Sequence, residues 1–382
     1  MTWIDWGIMV GKVVIVFFAL LLSVLVYVWV ERKVIADLQT RPGPLRAGPR
    51  GVLLTLADGI KLFFKEGILP TNADRTAYLI APTIAMLPAF LAFAVIPFGP
   101  AVHLSGREVP LQLSDPSIGV LWLLAMTAIS VYAIVLAGWG SGSNYPLLGG
   151  VRSTAQMISY EIAMGLALVA VIMFSGEIRT SAIVEAQDRI WYVIPQFPAF
   201  VIFFICALAE TNRPPFDLAE AETELVAGFH TEYSGIRFAF FMLGEYVATV
   251  VVAALAVTLF LGGWHGPWPD GWPGWIGGVL WFVLKVTAII YVMILVRGTL
   301  PRMRYDRLMD FGWKVLIPVG FWWVLTTAAI IALPERYGRW RGILIAVGFA
   351  AAAGLIASVL RPVLDRPRGG SDEAAVDEEV TS

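Results

Sequence analysis

Acid is concentrated in one stretch of this chain. Residues 210–232 read ETNRPPFDLAEAETELVAGFHTE, which sets Glu210, Asp217, Glu220, Glu222, Glu224 and Glu232 against Arg213 and His230. Carboxylates this crowded cannot all ionise, and in a partly dry setting some hold protons near neutral pH, which suits proton storage and relay. If Pro215 opens a helix, where its missing N–H costs nothing, Asp217, Glu220 and Glu224 follow on a shared face. A solvated acidic loop is the plainer reading, but long apolar runs flank the stretch on both sides. Two further carboxyls stand inside apolar runs: Glu161 in ISYEIAMG, ~9 Å from the inner end of its segment, and Glu245 in LGEY, ~13 Å deep at 1.5 Å per residue. Carboxyls in hydrocarbon are expensive unless they line a polar cavity, so both are candidate functional residues. All of these acids belong to one half of the expected bundle, and no complete proton path across the chain is visible.

The elements that must position these groups are membrane helices. Of 382 residues, 58% are hydrophobic and 15% charged, with 15 Trp and a mean hydropathy of +0.75, which soluble domains do not reach. About nine apolar segments have the length that spans a ~30 Å hydrocarbon core, near 7–30, 76–98, 116–139, 155–174, 190–210, 236–262, 275–297, 313–333 and 342–360. The first is too long for a signal peptide and lacks a small-residue cleavage pattern. The expected fold is all-α, a single transmembrane bundle over residues 1–360, followed by an acidic, disordered tail at 361–382. Most of the 27 basic residues fall in loops after odd-numbered segments, which places the N-terminus outside and the C-terminus in the cytoplasm. Loops 31–75, 211–235 and 297–313 then share the inner surface.

The first inner loop is the most elaborate. RPGPLRAGPRG, residues 41–51, is extended, stiff and basic. Residues 52–69 turn amphipathic: Leu53, Leu56, Ile60, Phe63 and Phe64 recur at helical spacing opposite Asp58, Lys61 and Lys65. That pattern predicts a helix lying in the membrane interface. A bare anchor needs nothing more, yet Glu66, Asp74 and Arg75 add further charge, and a ligand with a polar head and an oily tail finds both surfaces there. The next inner loop is read as glycine-rich, residues 138–155. Lys12 reads as an outer anchor, and Lys285, within the seventh segment, as functional or snorkelling. The last inner loop, RGTLPRMRYDRLMDFGWK, carries both signs of charge and fits anionic lipid or a soluble partner.

Several chemistries are excluded. Cys206 is the sole cysteine, and His103, His230 and His265 lie in three separate loops, so neither an iron–sulfur cluster, a haem nor a structural zinc can be assembled. Gly138, Gly140 and Gly142 have the wrong spacing for a dinucleotide fingerprint and follow a helix, and no nucleic-acid signature is present. Electron chemistry must come from a partner.

ERKVIADLQTRPGP, LADGIKLFFKE, GGVRSTAQMISYE, AETNRPPFDLAEAETELVAGFHTEYSG and RGTLPRMRYDRLM together resemble the H-subunit family of the type I proton-pumping NADH:quinone oxidoreductase, respiratory complex I, whose mitochondrial member is subunit 1. The resemblance runs from about residue 6 to 333. It implies a plasma-membrane subunit that anchors the peripheral arm and forms much of the quinone cavity, with ubiquinone or menaquinone as substrate. Flavin, iron–sulfur clusters and the NADH site then belong to other subunits. Carried over by motif, Arg32, Asp58, Lys61, Phe63, Lys65, Glu66 and Arg75 belong to the cavity mouth, and Arg213 and Asp217 to its loop wall. Glu161, Glu210, Glu220, Glu222, Glu224 and Glu245 form the proton-coupling set. Two rivals stand beside this reading. A related membrane subunit of hydrogenase or formate-linked complexes is disfavoured by the fully furnished first inner loop. A free-standing ion transporter is disfavoured by the lack of repeats or broken helices.

Overall fold

A computed structural model describes residues 3–104, 107–217, 225–267, 274–337 and 348. The helices are α1 Trp3–Leu38, α2 Leu54–Phe64, α3 Arg75–Phe93, α4 Gly119–Gly140, α5 Asn144–Ser175, α6 Thr180–Glu185, α7 Phe197–Glu210, α8 Gly235–Phe260, α9 Gly274–Thr299, α10 Tyr305–Phe311 and α11 Ile317–Tyr337. Seven described helices are long and apolar enough to cross a membrane: α1, α3, α4, α5, α8, α9 and the continuous run Tyr305–Leu333. The fold is therefore mostly helical, as composition requires. By their contacts the residues group into two units, Met1–Gly320 and Phe321–Ser382. Within the second, the Trp322 and Trp323 rings lie 5.9 Å apart. Apart from Gly348, the expected ninth segment and the acidic tail lie outside the described residues.

Helix α8 is the most enclosed of the seven, while α1 and the last helix expose most of their sides. Tyr78, Ile134, Met157, Phe229, Tyr233 and Phe241 form one buried cluster. Val16, Leu20 and Tyr27 of α1 pack on Val250 and Ile294 in another.

Four expectations change. The glycine-rich "loop" of residues 138–155 is almost entirely helix: α4 continues to Gly140, and α5 starts at Asn144 with Pro146 in its first turn, where a missing N–H is harmless. The glycines serve a close helix crossing. A Cβ on Gly138 would lie 2.6 Å from Pro146 O, and one on Gly149 would lie 2.8 Å from the backbone of Gly228 and Phe229. The fifth apolar segment forms only the 14 residues of α7, ~21 Å and short of the hydrocarbon thickness. Pro195 and Pro198 delay its start, and residues 190–196 form turns instead. Gln187 completes the approach to α7, accepting from Tyr192 N (3.2 Å) and Gly262 N (3.0 Å).

Third, the loop between α3 and α4 contains an antiparallel hairpin, β1 Gly99–Leu104 and β2 Arg107–Leu111, with Val102 paired to Val109. It is tied to α1 by the Arg107–Asp5 ion pair and by Lys12, whose Nζ donates to Gln112 O at 2.8 Å. Fourth, α2 occupies 54–64 rather than 52–69, because Lys65 adopts extended backbone at φ −71°, ψ 139°.

The backbone contact at Gly149 leaves no room for a methyl group. Gly149→Ala is expected to cost roughly 1–3 kcal/mol by overpacking, and to lower the amount of assembled protein in membranes, measured by quantitative blotting. Gly165→Ala, at a position with nothing within 4 Å of an added Cβ, should leave that amount unchanged.

Candidate functional site

Three groups of residues meet on one side of the bundle. At the surface, Arg32 of α1 pairs with Asp58 of α2 at 3.0 Å, both partly exposed, and Trp29 Nε1 donates to Arg50 O at 3.1 Å. These bonds tie the stiff basic loop and α2 to the end of α1. Helix α2 buries no residue. Phe63 and Phe64 are 65% and 81% exposed, so its apolar face is turned outward. Arg75 starts α3, whose N-terminus is capped by Asp74 accepting from Thr76 N at 2.9 Å and Ala77 N at 3.3 Å. Asp74 is thereby a structural residue, as its place before an apolar run suggests.

Deeper in, buried polar side chains connect four segments. Arg297, near the end of α9, forms an ion pair with Glu31 of α1. The other oxygen of Glu31 accepts from Tyr246 Oη at 2.8 Å, and the Arg213 guanidinium lies 4.2 Å from the centre of the Tyr246 ring. Arg213 Nη2 then comes to 3.9 Å from Glu245 Oε2. Glu31 is 3% and Arg213 7% exposed. Burial works against the Arg213 charge, but Tyr246, Glu245 and Glu31 outweigh it, and its pKa stands above the ordinary arginine value. Burial pushes His230 down to about 4, so it is neutral at pH 7. Arg213 therefore supplies the positive charge that the stretch 210–232 retains at that pH.

The third group is a cavity between α3, α4, α7 and α8, lined by Glu210 and Glu245 together with Thr127, Ser130, Asn212 and Met157. It leaves about 70 Å³ for the centres of water molecules, where one buried water needs ~10–15 Å³. Thr127 bonds to Glu210, and Glu161 acts on Glu210 electrostatically from α5. Glu210 Oε2 has no hydrogen-bond partner among the described residues. Carboxyls around a space that holds several waters can exchange protons with one another through that water.

The turn after α7 is stitched in place by Gln156, whose Nε2 donates to Ala209 O and Phe216 O, both at 2.8 Å, and by Met303 N, which donates to Pro215 O at 3.1 Å. Pro215 does not open a helix. It lies in a turn over residues 214–215, followed by a bend at Phe216. Glu220, Glu222 and Glu224 lie outside the described residues.

Of the residues expected from sequence, Glu161, Glu210, Arg213 and Glu245 are brought together, and so are Arg32 and Asp58. Lys61, Phe63, Lys65 and Glu66 lie on or just after α2, on the exposed side of the site. Glu31, Tyr246 and Arg297 were missed as site residues. Glu31 and Arg297 are charges at the ends of apolar runs, which resembles ordinary interface anchoring, and Tyr246 is an uncharged residue within one. Lys285 proves structural: its Nζ donates to Leu261 O (2.6 Å), Gly263 O (3.0 Å) and His265 O (2.6 Å), which uses all three donors. No group of three His, Cys, Asp or Glu among the described residues could hold a metal ion.

Compared with known protein families, residues 11–328 match the family described as NADH dehydrogenase. That span holds every site residue above and nearly all of the long apolar helices, so the chain belongs to the NADH dehydrogenase family and is a membrane subunit of that enzyme, complex I.

Proposed function

We propose that this subunit forms the quinone cavity where complex I's membrane arm meets its peripheral arm, and that it begins the route coupling quinone chemistry to proton movement. The observation that carries the reading is the succession of charged and polar groups, each in contact with or within 4 Å of the next, from Arg297 and Glu31 through Tyr246 and Arg213 to Glu245, which lines a cavity with Glu210. It starts at the same end of α1 where Arg32 holds Asp58 of α2. A quinone has a polar head and a long apolar tail. Exposed Phe63 and Phe64 offer a surface to the tail, and the charged residues behind them suit the head. Membership of the family implies other complex I subunits as partners, and these supply NADH oxidation, flavin and iron–sulfur clusters.

In this reading the chain's own residues handle protons and charge. Reduction of a quinone to a quinol takes up two electrons and two protons. The electrons arrive from the partner subunits, and transient negative charge develops in a poorly hydrated space. Arg213 and Arg297 oppose that charge. Glu161, Glu210 and Glu245, with Asp217, Glu220, Glu222 and Glu224 of the acidic loop, share protons and respond to it at short range.

Three outcomes are expected. Phe63→Ala and Lys65→Ala should each raise the apparent KM for quinone while NADH oxidation by a soluble artificial acceptor stays normal; loss of both activities means failed assembly, and no change in either makes α2 a membrane anchor only. In proteoliposomes normalised to flavin content, Glu161→Gln, Glu210→Gln and Glu220→Gln should lower NADH:quinone turnover and acidification together, by roughly tenfold or more where a general acid–base or relay group is removed. Wild-type values would reduce the acidic set to a structural role. The loops holding Arg41 and Glu220 should face the cytoplasm with the C-terminus, so a tag placed after Ser382 should resist labelling from outside intact cells; labelling there reverses the orientation.

A further inference from the structure

The segment that ends the acidic loop is clasped to the segment that ends α2. Ser234 Oγ donates to Glu66 O at 3.2 Å and accepts from Ile68 N at 3.1 Å. Arg237, in the first turn of α8, donates from Nη1 to Ile68 O at 3.3 Å, and its guanidinium lies 5.5 Å from the centre of the Tyr78 ring. The Tyr78 hydroxyl sits between Glu232 O (2.8 Å) and Ile68 O (3.2 Å). Its ring stacks on Tyr233 at 4.1 Å and 5°. Tyr233 Oη donates to Tyr78 O at 3.1 Å. That carbonyl is available because the residue four positions on, Pro82, has no N–H to give it. Gly235 completes the junction: at φ +61° it occupies left-handed backbone, and a Cβ there would lie 2.8 Å from Lys65 O. Only a glycine lets the start of α8 come this close to the end of α2.

Helix α2 itself buries no residue fully. It packs against α1 and α8, and the partly exposed Arg32–Asp58 pair, a kind of contact that contributes little, ties it to α1. The bonds to Ser234 and Arg237 lie just past its C-terminal end, at residues 66–68, and hold that end in place.

We infer that Arg237 is a positioning residue for quinone binding: by holding residues 66–68 to the base of the acidic loop it fixes α2, and it makes α2 and that loop move as one piece. This rests on the proposed role of α2 at the quinone cavity. Arg237 touches no quinone in this account. Its effect travels through the backbone of Ile68 and the Tyr78–Tyr233 stack.

The test uses the intact purified complex. Arg237→Gln should raise the apparent KM for quinone by roughly two- to tenfold, the worth of one or two hydrogen bonds, and leave the rate at saturating quinone and the soluble-acceptor activity unchanged. Hydrogen exchange of residues 54–68 should quicken in the same preparation. Arg237→Lys, which keeps a charged donor, should restore most of the affinity. Combining Arg237→Gln with Phe63→Ala should raise KM by less than the product of the single effects, because both act through α2. Unchanged exchange and unchanged KM in Arg237→Gln, where Phe63→Ala does raise KM, overturns the inference alone. Unchanged KM in Phe63→Ala as well places the failure in the reading of α2 and removes the role given to Arg237 with it. Should Arg237→Gln fail to assemble, Ser234→Ala removes only the hydroxyl bonds to Glu66 and Ile68; it should quicken exchange at residues 54–68, and unchanged exchange overturns the clasp.

Discussion

A positive charge buried in an apolar bundle governs one end of this protein's bundle. Arg213 is 7% exposed, and a guanidinium cannot shed its proton to escape the cost of burial. It must be met by groups of opposite polarity. Tyr246 provides an aromatic face, Glu245 a carboxylate at 3.9 Å and Glu31 a second one beyond the tyrosine. Removing one partner from such a set leaves a charge uncompensated at a cost of roughly 3–5 kcal/mol. The positions of α1, α8, α9 and the turn after α7 are linked through this requirement, since each contributes at least one member. The same requirement keeps Glu245 at the cavity wall, where it faces Glu210 across space that water can fill.

The two ends of the bundle use polar residues differently. At the end that carries the hairpin they complete backbone hydrogen bonding. Lys285 serves three carbonyls beyond α8, Gln187 serves the start of the α7 segment, and Lys12 holds the hairpin. At the opposite end, Arg213 Nε and Glu210 Oε2 remain without hydrogen-bond partners among the described residues, and both are closed off from bulk solvent. Buried polar atoms of this kind are costly unless water or a ligand reaches them, and Glu210 lies on the wall of a cavity that water can fill.

The site was legible to the extent that burial made polar residues conspicuous. A glutamate in the middle of an apolar run is improbable without a function, which is why Glu161 and Glu245 stood out. Glu31 and Arg297 did not, because charges at the ends of membrane helices are commonplace. Tyr246 carries no charge at all, and only its position between Glu31 and Arg213 gives it a part. Lys285 stood out for the same reason as the glutamates and proved to be a structural post, since periodicity cannot tell whether a cation meets carbonyls or a carboxylate.

What the sequence determined by itself was the solvent and the secondary structure. Long apolar runs must be helical in a bilayer, because every backbone N–H and C=O has to be satisfied within the segment. That argument placed most of the long helices, the pattern of residues 52–69 gave the amphipathic character of α2, and long motifs between the apolar segments carried the family. Tertiary structure decided the rest. The glycines of residues 138–150 look the same in a loop and in a helix crossing, and only the neighbouring backbones at Pro146, Gly228 and Phe229 make them a crossing. The hairpin at 99–111 needed α1 to hold it. The joining of Glu31, Arg297, Tyr246, Arg213 and Glu245 needed four segments far apart in the chain to converge, and convergence of that kind leaves no local pattern to read.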